Sequence, residues 1–164
     1  MGRGKPDAGA HPSVRVACRG VRGALDPRAV KRLAGRVLRA VGCERKELSV
    51  LLCDDACMRE LNRVYRGLDR TTDVLSFSMA EGHAVGASHP GPELLGDVVI
   101  SVETAARNAE RRETDAMDEI KALLVHGVLH LLGYDHTGPR EAARMRRAAL
   151  EAEHLLTSRF SRAP

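Results

Sequence analysis

The chain has no tryptophan, and only two tyrosines and two phenylalanines among its 164 residues. Its core must therefore be filled by leucine, valine, alanine and methionine, and the length suits one such core without disulfide or metal staples. No stretch approaches the roughly 18 consecutive apolar residues of a membrane-spanning helix, and Met1 to Pro12 contains no apolar signal core. These absences exclude a helical membrane protein and lead to the expectation of a soluble, cytoplasmic one. The four cysteines, Cys18, Cys43, Cys53 and Cys57, form no CxxC pair, so they are expected to be small apolar residues in a reducing compartment.

Acidic residues are scarce at one end. Residues 1–42 hold ten Lys or Arg against Asp7 and Asp26, whereas the rest of the chain holds sixteen against twenty. A basic third on a mildly acidic body fits a polyanion such as RNA. Arginine is used heavily throughout, however, so charge taken alone carries little weight.

Periodicity supplies the elements. Val14, Val16 and Cys18 alternate with polar residues as in a half-buried strand. Asp26 and Pro27 open a helix whose apolar residues, Val30 to Val41, recur at helical spacing until Gly42. Leu48 to Cys53 reads as a strand, and Asp54 or Asp55 caps a helix reaching about Arg66. Asp73 to Phe77 and Leu95 to Ser101 are further strands. The stretch between them, Met79 to Glu93, is rich in glycine and proline and reads as a mobile loop. Helices follow from Val102 to about Arg112, from Ala116 to Leu132 behind a Thr114 or Asp115 cap, and from Pro139 to about Leu156. No internal repeat, no linker between domains and no second core interrupts the pattern. The order β-α-β-α-β-β-α-α-α predicts an α+β fold, a small mixed four-stranded sheet packed with about five helices. The expected organisation is a basic, disordered tail at 1–12, a single domain at 13–158 and a short tail at 159–164.

The helix from Ala116 is apolar on most of its surface and belongs in the middle of the fold. It carries His126 and His130, about 40° apart around its axis and so able to meet one ion. Gly133 ends the helix, letting the chain fold back so that His136 offers a third nitrogen. Burying three imidazoles without a shared partner would leave polar nitrogens unsatisfied, and a single cation satisfies all of them. Three neutral imidazoles suit zinc, with nickel, copper or iron also accepted, and three protein ligands leave a place open to water. The spacing matches the zinc-peptidase pattern H-E-x-x-H-x-x-G-x-x-H except that Gly127 stands where peptidases keep their glutamate base. A peptidase is thereby disfavoured and another hydrolytic substrate implied. A non-catalytic module with a structural metal would need a fourth protein ligand, and no cysteine or further histidine lies nearby in sequence.

The run His126-Gly-Val-Leu-His130-Leu-Leu-Gly133-Tyr134-Asp135-His136 resembles the signature of the YbeY family of bacterial endoribonucleases. Leu61 to Phe77, with Arg66 and the Thr72-Asp73-Val74-Leu75-Ser76-Phe77 stretch, resembles that family's other shared segment, and Leu95-Gly96-Asp97 to Ser101 sits at the expected interval. The resemblance spans about Leu48 to Leu156. It implies a single-strand-specific, metal-dependent endoribonuclease acting in ribosomal RNA maturation at the small-subunit RNA 3′ end and in ribosome quality control. It further implies that His126, His130 and His136 hold one metal ion, zinc by expectation, at the bottom of a positively lined cleft. It also makes Arg66 the functional arginine near that ion. Ribosomal RNA and the ribosome, with small-subunit proteins and a GTPase, are the partners it suggests for a monomeric protein. Two departures stand out, Thr71 and Ser78, where the family usually has proline.

Independently of that resemblance, Arg59, Arg63 and Arg66 recur at i, i+4 and i+7 with Arg70 just beyond, a row able to track phosphates. With so few rings, base stacking is expected to fall to arginine. Asp135 is expected to orient a ligand histidine, and His83 and His89 to be ordinary loop residues.

Overall fold

Aspartate starts three of the helices. Asp26 accepts a hydrogen bond from the backbone N–H of Arg28 at 2.9 Å, Asp54 from Cys57 at 2.8 Å and Asp115 from Met117 at 2.8 Å. Each satisfies an amide that has no partner inside its helix. The computed structural model describes residues 12–23, 25–79 and 93–158. Along them run β1 (Ser13–Arg19), α1 (Pro27–Ala40), β2 (Lys46–Cys53), α2 (Asp55–Arg66), β3 (Val74–Ser78), β4 (Glu93–Ser101), α3 (Val102–Arg111), α4 (Ala116–Leu131) and α5 (Pro139–Ser158). This is the order that periodicity predicts. Of the alternative caps, Asp54 and Asp115 are the ones used, which leaves Asp55 for another task. The tails expected at 1–12 and 159–164, Pro12 excepted, lie outside the described residues, as does the interior of the expected loop between Met79 and Glu93 with His83 and His89.

The strands form one mixed sheet in the order β1-β2-β4-β3. β1, β2 and β4 are parallel, while β3 runs antiparallel to β4 on the outside. Side chains alternate between two faces, as strand geometry requires. Leu48, Val50, Leu52, Val98 and Ile100 pack with α1, α4 and α5 in the main core, and Cys53, Leu75 and Val99 pack with Cys57 and Met58 of α2 on the other side. The result is the expected α+β arrangement of a four-stranded mixed sheet and five helices, with α4 central. Among the described residues no helix is long and apolar enough to cross a membrane.

Two details correct or refine the sequence reading. Cys43, Cys53 and Cys57 are buried as expected, but Cys18 is exposed, because burial fades along the edge strand β1 from Val14 toward its end. The sheet also carries a bulge: Glu47 pairs with Leu94 and Leu48 with Gly96, so Leu95 is skipped. Gly96 sits at φ +147°, and a first side-chain carbon there would overlap the Phe77 carbonyl oxygen and approach Leu131 Cδ2 at 2.9 Å. Only glycine suits that crossing of β3, β4 and α4.

Candidate metal centre

Gly127 determines how closely α4 lies on the sheet. A Cβ at that position would stand 2.8 Å from Val98 Cγ1 and 3.2 Å from Ser76 Oγ. The Ser76 hydroxyl instead donates to the Gly127 carbonyl at 3.2 Å and ties β3 to α4. Position 127 thus faces the sheet, about 100° around the helix from His126, whose ring turns with that of His130 toward open space. The helix then ends through hydrogen bonds from Gly133 N–H to the His130 carbonyl at 2.9 Å and from Tyr134 N–H to the Leu129 carbonyl at 3.0 Å. Gly133 takes φ +86°, reversing the chain so that His136 returns to the first two histidines.

The three imidazoles converge. His126 Nε2 and His130 Nε2 lie 3.1 Å apart, close to the roughly 3.4 Å between nitrogens sharing a tetrahedral zinc. The ring centroids of His126 and His130 are 4.6 Å apart, those of His130 and His136 5.2 Å, and those of His126 and His136 6.1 Å. One nitrogen from each falls within 4.8 Å of the others. No fourth side chain completes the group among the described residues, so a bound ion would keep a place for water or substrate.

The local electrostatics favour the metal-binding form of the two helical rings, His126 and His130. Burial pushes His126 below the ordinary imidazole range, and His130 and His136 push it further, against the opposing charge of Asp73. His130 is also held low, first by burial and then by His136, with Asp135 opposing and Arg66 adding to the fall. Neutral imidazoles offer a free lone pair. The group can therefore hold a divalent metal ion.

Around it lies a cleft of about 870 Å³. Asn62 and Arg66 of α2 form one wall, the segment from Arg70 to Asp73 and the outer strand β3 another, and the histidines the floor. Arg66 and the three histidines are thus brought together as expected. The arginine row is not. Arg59 is held by Asp69 in a two-pronged ion pair at 2.7 and 2.9 Å, and Arg63 by Glu60 at 2.8 Å. Arg66 and Arg70 are the members that line the cleft. The Asp135 carboxylate accepts the backbone N–H of His136 at 2.6 Å and so shapes the turn that carries this histidine.

Spacing and charge single out none of several further residues around the site. Asn62, only 3% exposed, donates from Nδ2 to the Arg70 carbonyl at 2.8 Å and pins the wall between α2 and β3. Asp73 lines the cleft and receives a 3.4 Å hydrogen bond from Asn108. Tyr134 also lines it, with the Arg144 guanidinium 4.8 Å over its ring. Tyr65, beside Arg66, stands against Phe77 with ring centroids 5.0 Å apart. Asn62, Asp73 and Tyr134 do lie within the two segments that resemble the family, which is the one cue to them.

A family model described as endoribonuclease YbeY matches residues 21–157. Among curated proteins, the endoribonuclease YbeY of Syntrophus aciditrophicus is 42% identical over 134 residues, covering 80% of this chain and 82% of that one. The endoribonuclease YbeY of Aquifex aeolicus is 43% identical over 135 residues, covering 82% and 83%. That of Pelotomaculum thermopropionicum is 50% identical over 119 residues, covering 71% and 76%. A Thermotoga maritima protein solved in solution shares the fold, with a TM-score of 0.53 and 22% identity over 92% of this chain and 97% of that one.

Proposed function

The chain belongs to the YbeY endoribonuclease family, and from that premise we propose that it is a metal-dependent endoribonuclease. Its substrate is single-stranded ribosomal RNA, cut during maturation of the small-subunit RNA 3′ end and during ribosome quality control, with small-subunit proteins and a GTPase as partners of a cytoplasmic monomer. His126, His130 and His136 hold one divalent ion, zinc by preference of a three-imidazole set and nickel by second choice. The observation that carries the reading is the convergence of those three rings at the floor of a cleft whose wall bears an unpaired Arg66 among the described residues.

A divalent ion at such a site supplies Lewis-acid polarisation and lowers the pKa of bound water to roughly 7. The rest is the work of the chain's own groups. Arg66 grips two non-bridging phosphate oxygens at once and orients the phosphodiester over the histidines. The same guanidinium meets the charge that builds on those oxygens as the bond breaks, where a fixed donor is worth most. Asn62, by holding the Arg70 carbonyl, keeps the cleft wall and its second guanidinium in place. A peptidase reading finds no support. Its glutamate base is absent, and any side chain at 127 would run into Val98.

The test is cleavage of a ribosomal RNA precursor by purified protein, before and after chelation and after return of zinc or nickel. Cleavage lost with the chelator and restored by metal is expected, along with a folded but inactive His130→Ala variant. Full activity in chelator, or in that variant, would overturn the reading.

A further inference from the structure

The open edge of β3 places a second set of groups in the cleft, and they belong to the main chain. Ser101 N–H donates to the Asp73 carbonyl at 2.9 Å, and Met79 N–H to the Leu95 carbonyl at 3.3 Å. Both contacts share the register of the β3–β4 ladder, in which Leu75 faces Val99 and Phe77 faces Asp97. In an antiparallel pair, residues alternate between those that exchange hydrogen bonds with the partner and those that do not. Asp73, Leu75, Phe77 and Met79 therefore turn their amides toward β4. Val74 and Ser76 turn their N–H and C=O the other way. Among the described residues no strand pairs on that side, and Val74 and Ser76 line the same cleft as Arg66 and His126.

The chemistry of this edge selects its ligand. Each outward residue offers one donor and one acceptor side by side. A phosphate carries acceptors only and would meet the carbonyl unfavourably. The Watson–Crick edge of a nucleobase carries a donor next to an acceptor and matches the pattern. Strand rise sets the two residues about 6.6 Å apart, so they form a short track beside the phosphate-binding group rather than a single point.

We propose that the outward main-chain groups of Val74 and Ser76 read the Watson–Crick edge of an unpaired nucleobase flanking the scissile phosphate. This deepens the endoribonuclease reading and rests on it. It gives preference for single strands a physical origin, because in a duplex that base edge is already occupied by its complement.

The experiment uses short single-stranded oligoribonucleotides cut once by the metal-loaded protein. Each uridine near the cut is replaced in turn by N3-methyluridine, which blocks the Watson–Crick edge, and by C5-methyluridine, which leaves it free. At one position the N3-methyl base is expected to slow cleavage about tenfold or more, the worth of a hydrogen bond and the desolvation that goes with it, and the C5-methyl base to leave it unchanged. Val74→Pro removes an amide that points away from the ladder, so no bond to β4 is lost. It is expected to cut unmodified RNA about tenfold more slowly and to lose the penalty for the N3-methyl base, while its zinc affinity and melting temperature stay those of the native chain. A flat methyl scan overturns the inference whatever the variants do, and so does full discrimination by a folded Val74→Pro. An edge that pairs with an extended peptide instead of a base gives that flat scan. Failure of the metal-loaded protein to cut any RNA overturns the endoribonuclease reading itself, an outcome distinct from cutting all the oligonucleotides equally.

Discussion

Arg66 differs from its neighbours on α2 in what it does not touch. Arg59 and Arg63 spend their guanidinium groups on Asp69 and Glu60, whereas Arg66 lies at the end of the helix, exposed and facing the cleft. Arg66→Ala is expected to lower kcat on single-stranded RNA by about a hundredfold to a thousandfold and to leave the melting temperature unchanged. Arg66→Lys should restore little of that loss, since an ammonium cannot grip two oxygens in one plane. A loss under threefold in single-turnover cleavage would remove the role. The histidines add a pH prediction. His126 and His130 are held below their ordinary value of 6.5, by burial first, then His126 by His130 and His136 and His130 by His136. Between that lowered value and 6.5 the unfolded chain binds more protons than the native one, so stability rises with pH there and falls on acidification. Denaturation of the chelated protein between about pH 5 and pH 7.5 should follow this trend, and His126→Gln should flatten it.

At the scale of elements, the contact between α4 and β3–β4 matters most. It is close because residue 127 has no side chain and because Ser76 fastens the Gly127 carbonyl. Gly127→Ala forces a methyl group against the stiff Val98, a cost of about 1–3 kcal/mol. The shift it imposes on α4 displaces His126 and His130 together. The expected signature is a lower denaturation midpoint accompanied by weaker zinc binding in a competition titration. Lost stability with unchanged metal affinity would mean that the site does not depend on this packing. The geometry of β3 also explains a departure from the resembled family. Position 78 has the same parity as Val74 and Ser76 in the ladder, so the proline usual there gives up no bond to β4.

Across the whole molecule, Asp55 joins parts that are far apart in sequence. Its Oδ1 accepts hydrogen bonds from Ser101 Oγ at 2.5 Å and Thr104 Oγ1 at 2.6 Å, and its Oδ2 meets Arg107 at 2.6 Å. Burial pushes its carboxyl upward, but the bonds from Ser101, Thr104 and Arg107 prevail and hold it below the usual carboxylate range. A carboxylate lowered in this way contributes stability above its unfolded pKa, and that stability is lost as pH falls through the folded one. Asp55→Ala leaves the O–H of the fully buried Ser101 without its acceptor and should cost about 2 kcal/mol. The histidines, on the opposite side of the sheet, should bind zinc as before. Chemical denaturation and a zinc titration of the same variant check both halves.

Short-range order was legible in the sequence because its causes are short-range. Apolar spacing, the aspartate caps and the glycine stops all act within a few residues, and they determined the nine elements of the described residues and the mixed α+β class. They also determined the histidine triad, since four residues on a helix and a reversal at Gly133 leave little freedom. Closure of the chain decided what spacing could not express. Arg59 loses its freedom to Asp69 ten residues away, and Asp55 finds its partners 46 to 52 residues on. The outer position of β3, and with it the amides that face the cleft, follows from strand order alone. Such contacts depend on which distant segments become neighbours, and no local pattern of polar and apolar residues encodes that.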